Sequence, residues 1–289
     1  MKVLITGAQG QVGQALLRTV PAGCDVHGLG RDELDISRED AVRAITDSVR
    51  PDVIVNAAAY TAVDRAETES AACYQVNAEG PRFLAKSAKD QGARLLHIST
   101  DFVYDGKASS PYLPDAIPRP LGVYGASKRR GEEAVLETLG SGALVLRTAW
   151  VYAAWGNNFL RTMLRLMAER RSVRVVADQV GSPTAARSLA DVLWRFVERR
   201  DIHGIYHWTD AGVASWYDFA VAIAEEGALM KLLPPDVEVS PISTEEYLTP
   251  ARRPAYSVLD KRSTYAVLGL RPVHWRTGLR ATLGEIARG

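Results

Sequence analysis

The sequence predicts an α/β protein: a doubly wound parallel sheet with a smaller C-terminal α/β region. Three features carry this. An apolar strand at the N-terminus runs through a glycine-rich turn directly into a helix. Apolar strand segments then alternate with helical segments to about residue 148. Beyond that point the pattern gives way to loops rich in aromatic and amide side chains.

The first strand is Lys2–Thr6, closed by Gly7. The turn reads Gly7-Ala-Gln-Gly10-Gln-Val-Gly13 and enters a helix at once. Glycines there let backbone approach a pyrophosphate, and the helix N-terminus offers N–H groups and partial positive charge. The spacing is G-x-x-G-x-x-G, and its position between strand and helix points to a dinucleotide. A second strand over 25–30 ends where a ribose-reading residue is expected, at Arg31-Asp32. An acid reads a free 2′-hydroxyl and an arginine accommodates a 2′-phosphate. Both are present; Arg31 comes first, which favours NADPH over NADH.

Ser37 is placed to cap a helix over 38–49. The third strand, 52–55, leads into Asn56-Ala-Ala-Ala-Tyr-Thr61, whose small residues leave room for a ligand or for close helix packing. Residues 68–91 read as one long helix. Asn77 lies in its middle, either holding a kink or water near a site or facing solvent. A fourth strand, 94–99, ends in Ser99-Thr100-Asp101, where a hydroxyl can reach a substrate carbonyl. A Gly- and Pro-containing loop over 105–120 has the length of a lid.

Next comes Tyr124-Gly-Ala-Ser-Lys128. On a helix Tyr124 and Lys128 share one face. A neighbouring cation favours phenolate, so the pair is suited to proton delivery onto an oxygen that is gaining charge. Eleven Tyr and seven Lys in 289 positions give roughly 0.3 such pairs by chance, so the pair alone is weak. The fifth strand is 143–148. Trp150 to Asn158 form an aromatic and amide-rich loop. A helix over 159–170, a strand over 173–176, a helix to about 199 with Thr184 as its expected cap, a short strand over 205–208 and helices over 215–226, 261–268 and 276–288 complete the chain.

Composition excludes several classes. Apolar residues make up 47% and charged residues 24%, with a net charge of +1 and both signs mixed along the chain. That speaks against nucleic-acid or acidic-membrane partners. The two cysteines, Cys24 and Cys73, have no metal-cluster spacing. No apolar stretch has spanning length, and the N-terminal apolar run is too short for a signal-peptide core. A cytoplasmic setting is expected.

Taken in register, these motifs resemble the extended short-chain dehydrogenase/reductases and, within them, the dTDP-4-dehydrorhamnose reductase family. The resemblance covers nearly the whole chain. It rests on the glycine turn, Pro51–Asp64, Ser99–Tyr104, Tyr124–Lys128, Arg147–Tyr152, Gly156–Phe159, Asp178–Thr184 and Pro250–Pro254. It implies a Rossmann-like domain over 1–150, with return segments around 173–200, and an interleaved nucleotide-sugar region over 151–289. It also implies NAD(P)H-dependent reduction of the 4-keto group of dTDP-4-dehydro-β-L-rhamnose. By position, Thr100, Tyr124 and Lys128 would be catalytic. Gly7, Gly10, Gln11, Val12, Arg31, Asp35, Ile36, Ala59, Tyr60 and Thr61 would meet the cofactor, together with Tyr124 and Lys128. Thr100, Asp101, Trp150, Asn158 and Arg253 would meet the substrate; Arg253 and Arg252 suit a diphosphate. Some members dimerise around Mg²⁺ held by carboxylates near the first helix. Here that helix carries Ala15 and no acid, so no metal is expected, while a homodimer stays open. A 4,6-dehydratase would want an acid beside Asp101, where this chain has Phe102. A 4-epimerase or a non-catalytic NADP-binding regulatory subunit are the remaining alternatives.

Overall fold

The computed structural model describes residues 1–289. Six strands form one parallel sheet: β1 (Lys2–Thr6), β2 (Asp25–Leu29), β3 (Val53–Asn56), β4 (Arg94–Thr100), β5 (Ala143–Thr148) and β6 (Gly204–His207). Their spatial order is β6-β5-β4-β3-β1-β2. Every neighbouring pair is parallel. The order reverses between β1 and β3, and a ligand crevice opens at the carboxyl ends of such strands.

The sheet is buried on both faces, as parallel sheets are. Val3 and Ile5 of β1 join Leu16, Leu189, Leu193 and Phe196 on one side, beneath helices Gln11–Arg18 and Ala186–Glu198. Leu4 joins Val42, Leu84 and Val135 on the other, beneath Glu39–Val49, Gly80–Gln91 and Val123–Leu139. A buried ion pair fixes the last of these helices to β5. Arg147 Nη2 lies 2.6 Å from Glu132 Oε2 and Nε lies 2.9 Å from Oε1, with both side chains almost fully enclosed. Removing one partner of such a pair costs about 3–5 kcal/mol, because the other charge stays buried alone.

After β5 the chain crosses to a second cluster built on Leu160, Met163, Val173, Phe219, Ile223, Trp275 and Leu279. Strand Ser172–Val176 pairs there with Glu238–Ile242 in a separate two-stranded sheet. The chain returns to the main sheet with Ala186–Glu198 and β6. It leaves again through Trp216–Leu229, returns with Arg262–Leu268, and ends in the second cluster with Trp275–Arg288.

Three local expectations differ from the structure. Ser37 does not cap the following helix, which begins at Glu39. Its hydroxyl and backbone N–H both donate to Asp35 Oδ1, at 2.7 and 3.0 Å. Thr184 does not cap Ala186–Glu198; Asp210 accepts from Ala185 N instead, at 3.0 Å. The helix expected over 68–91 is α-helical over Ser70–Tyr74, widens to a π-helical turn over Gln75–Glu79, and resumes at Gly80. Asn77 sits inside that turn, and such turns recur at functional sites.

Candidate active site

The glycine turn is shaped by close approach. Gly7 has φ +68°, and a Cβ there would lie 2.6 Å from Ala58 N. A Cβ on Gly13 would lie 2.3 Å from Gly7 O, so helix Gln11–Arg18 packs directly onto the turn. Gly10 precedes that helix with no side-chain cap, and its first turn carries no acid. This cradle fits the diphosphate of a dinucleotide.

Around it, Asp35 is held below the usual carboxylate range, first by the Ser37 hydroxyl and further by the Ser37 N–H and the charge of Arg31. Arg31 and Asp32 are both exposed. Ile36 is buried, with its side chain in the core beside Gly80. Val12 packs partly against the core. Asn77 clamps the loop after β3: its Oδ1 accepts from Tyr60 N at 2.8 Å and its Nδ2 donates to Tyr60 O at 3.0 Å. That fixes the backbone through Ala59, Tyr60 and Thr61, while the Tyr60 phenol donates to Glu69. Of the two readings of Asn77, the buried structural one is observed.

The chemical groups gather at the ends of β4 and β5. Thr100 Oγ1 donates to Asp101 Oδ1 at 3.0 Å and accepts from Phe102 N. Tyr124 lies in the first turn of Val123–Leu139, its ring edge-on to Phe102 with centroids 5.5 Å apart. A Cβ on Gly125 would lie 2.1 Å from Phe102 O, and one on Gly131 2.2 Å from Asn77 O. The helix therefore sits as deep as its backbone permits.

Burial pushes the Tyr124 phenol well above its ordinary value. The Thr100 hydroxyl opposes this and the Asp101 carboxyl adds to it. The sequence leads one to expect a phenol made more acidic by Lys128. In the structure desolvation outweighs that, and the Lys128 side chain turns inward: Nζ donates to Ile98 O at 2.7 Å and lies 3.3 Å from His97 Nε2. Burial lowers Lys128 to about 8. Tyr124 is thus a protonated acid.

Asp101 is raised to about 6, mainly by burial, with the nearby Ser257 hydroxyl and the Thr100 hydrogen bond opposing. Its Oδ2 has no protein partner, and neither do Ser99 Oγ and Thr148 Oγ1. Thr100 and Thr148 are register partners across β4 and β5. Buried polar atoms without partners at adjacent strand ends mark a place for a polar ligand. Trp150, at φ +50°, stacks on Trp216 with centroids 3.5 Å apart, and a Cβ on Gly181 would lie 2.7 Å from its indole.

Two expected substrate contacts have other partners. Asn158 caps helix Phe159–Arg170 through Arg161 N, and its Nδ2 donates to Gln11 Oε1, Ala153 O and Trp155 O. Gln11 thereby joins the glycine turn to the 151–158 loop. Arg253 forks onto Asp64, with Nη2–Oδ2 2.7 Å and Nη1–Oδ1 3.1 Å. Arg252, next to it, is exposed. Sequence reasoning missed His97, Thr148, Trp216 and Ser257.

A cavity of about 690 Å³ lies apart from Thr100, Asp101, Tyr124 and Lys128. It borders the first helix and is lined by Arg18, Arg161, Arg187 and Arg288 with Glu285 and the C-terminal Gly289. Four guanidiniums repel a divalent cation, so this lining does not fit the Mg²⁺ that some members of the resembled family hold near that helix.

A glycine-turn parallel sheet with Thr100 at the end of its fourth strand and Tyr124 and Lys128 on the helix that follows defines an extended short-chain dehydrogenase/reductase. Within that class, the chain belongs to the RmlD substrate binding domain family, which it matches over residues 1–288. It is 46% identical over 286 residues to a dTDP-4-dehydrorhamnose reductase of Burkholderia thailandensis, covering 96% of each chain. A probable dTDP-4,6-dihydroxy-2-methyloxan-3-one 4-ketoreductase of Streptomyces antibioticus is 43% identical over 290 residues, covering 99% of this chain and 96% of that one. The structure of Bacillus anthracis dTDP-4-dehydrorhamnose reductase in complex with NADP superimposes with a TM-score of 0.92 at 36% identity, covering 98% of this chain and 99% of that chain.

Proposed function

We propose that this protein reduces the 4-keto group of dTDP-4-dehydro-β-L-rhamnose to give dTDP-L-rhamnose, the last step in making that nucleotide sugar. The observation that carries this is the gathering of Thr100, Asp101 and Tyr124 with unpartnered polar atoms at the ends of β4 and β5, beside the glycine turn. NADPH or NADH would be held by Gly7, Gly10 and the N-terminus of Gln11–Arg18, with the loop Ala59–Thr61 and Asp35 around the remainder. When bound, the reduced cofactor supplies hydride to C4 of the sugar.

The protein's part is proton delivery and alignment. Tyr124 is buried and holds its proton until negative charge develops on O4, then donates it there. Thr100 adds a second hydrogen bond to the same oxygen. Lys128 supports the phenol from beneath. Asp101, Ser99 and Thr148 hold sugar hydroxyls, and Trp150 against Trp216 walls the sugar. Phe102 stands where a dehydratase needs an acid, which favours reduction without elimination. Residues 1–150 take the cofactor and 151–289 most of the nucleotide sugar, with Arg252 as the open cation for the diphosphate. No helix is long and apolar enough to cross a membrane. We assign the work to the cytoplasm, with a homodimer as the assembly to test by light scattering.

The Streptomyces antibioticus relative supports a second reading, reduction of a related dTDP-linked 4-ketosugar. The deciding assay runs both ketosugars with NADPH and with NADH and identifies the products. The proposal predicts dTDP-L-rhamnose from the first substrate at the higher kcat/KM. No oxidation of either cofactor with either sugar would overturn it.

A further inference from the structure

Thr6, Asn56 and His97 are successive register partners across β1, β3 and β4. All three are fully enclosed. Their side chains form one line of hydrogen bonds ending at Lys128. Thr6 Oγ1 donates to Asn56 Oδ1 at 2.7 Å, and Ala58 N donates to the same oxygen at 3.1 Å. A backbone N–H can only donate, so that atom is the amide oxygen. The other amide atom, Nδ2, faces His97 Nδ1 at 3.0 Å and can only donate. His97 Nδ1 therefore accepts and carries no proton. Burial and the nearby Lys128 hold the imidazole neutral, far below its ordinary value. Its proton is then on Nε2, the atom 3.3 Å from Lys128 Nζ.

This has a consequence for Lys128. An ammonium has three donors and no acceptor, so it cannot bond to an N–H. Only the neutral amine has a lone pair for His97 Nε2–H while it donates to Ile98 O. The opposite tautomer would welcome an ammonium but would set an N–H against the Asn56 amide. The strand-end line thus withholds the acceptor that a buried ammonium needs. We infer that His97, oriented by Asn56 and Thr6, is a positioning residue that sets the pH at which Lys128 holds its proton, and so the alkaline limit of the reaction. Other titratable groups facing Lys128 are Glu132, one helical turn on and paired with Arg147, and the Cys73 thiol, which meets Ser127 at 3.1 Å; the Tyr124 phenol, one turn back, faces Cys73 and Asp101. Glu132 favours the charged form of Lys128, so the strand-end line and burial act against it.

The inference rests on the reduction reading for its effect on rate, but its direct test does not. Ligand-free protein carrying ¹³C-lysine is titrated by NMR, with the Lys128 Cε resonance identified by its loss in Lys128→Met. His97→Gln offers an amide oxygen to the ammonium. Asn56→Asp removes the amide donor, so His97 turns an N–H toward position 56 and its Nε2 lone pair toward Lys128. Each substitution should raise the Lys128 midpoint by about one pH unit or more and move the alkaline limb of kcat/KM up equally. A merely structural role would lower Tm and kcat without moving either midpoint. If Asn56→Asp fails to fold, His97→Gln decides. An unchanged midpoint in His97→Gln overturns the inference whatever the activity. A raised midpoint in a protein that reduces no ketosugar overturns the reduction reading and leaves the His97 assignment standing.

Discussion

Arg253 closes its guanidinium fork on Asp64, a residue 189 positions earlier in the chain, and Ala251 N donates to the same carboxylate at 3.2 Å. The Arg253 fork holds the Asp64 carboxyl below its usual range. The pair latches the 249–254 loop to the segment that follows β3.

A latch and a diphosphate ligand predict opposite results. As a latch, Asp64→Ala and Arg253→Ala should each raise KM for the nucleotide sugar several-fold. Each should destabilise by about 1 kcal/mol, the value for a partly exposed pair, and the double mutant should be no worse than either single one. If Arg253 bound diphosphate, Asp64→Ala would free it and lower KM. Steady-state kinetics and denaturant melts of the three variants separate the two.

Tyr124→Phe should lower kcat by about 10²–10⁴-fold, the usual contribution of a positioned acid. Cofactor affinity should stay within about two-fold, since the ring and its contact with Phe102 remain. Fluorescence titration with NADPH, together with single-turnover rates, checks both parts.

Asp101 has its folded pKa raised to about 6 from 3.8, so the folded state binds the proton more tightly than the unfolded chain. Its contribution to stability is then largest in acid. It falls as pH rises from about 4 to about 6 and stays lost above that. Asp101→Asn should remove this slope. It should melt several degrees higher than the parent at pH 7 and equal to it near pH 3, while binding the sugar more weakly. Thermal melts across that range decide; a variant less stable at pH 7 would contradict the burial penalty.

Chelation should leave the enzyme unchanged. The cavity beside the first helix is lined by four arginines, so EDTA should alter neither kcat/KM nor the mass seen by light scattering. Loss of either on chelation, with recovery on adding Mg²⁺, would place a cation on a surface not described above.

What the sequence revealed followed from how local each signal is. The glycine turn and the Tyr124/Lys128 pair are short-range patterns whose geometry one element dictates, and both lie where spacing predicts. Ser37 and Thr184 misled because a hydroxyl before a helix is ambiguous: a carboxylate such as Asp35 or Asp210 competes for the same donors. Arg253 misled because its partner is distant in sequence. Thr148 and Trp216 reach the site only through strand register and inter-lobe stacking. His97 left a trace, a single titratable ring within Leu95-Leu-His-Ile-Ser99, but that alone does not separate a buried structural imidazole from one that faces a lysine.

The helix that carries Tyr124 and Lys128 rests on the carbonyl oxygens of Phe102 and Asn77 at two glycines, Gly125 beside Tyr124 and Gly131 one turn past Lys128. A single methyl at either would lift the helix and carry Tyr124 away from Phe102 and the end of β4. The seat of this helix is set by two hydrogen atoms where side chains would be, and it cannot be moved without moving Tyr124 with it.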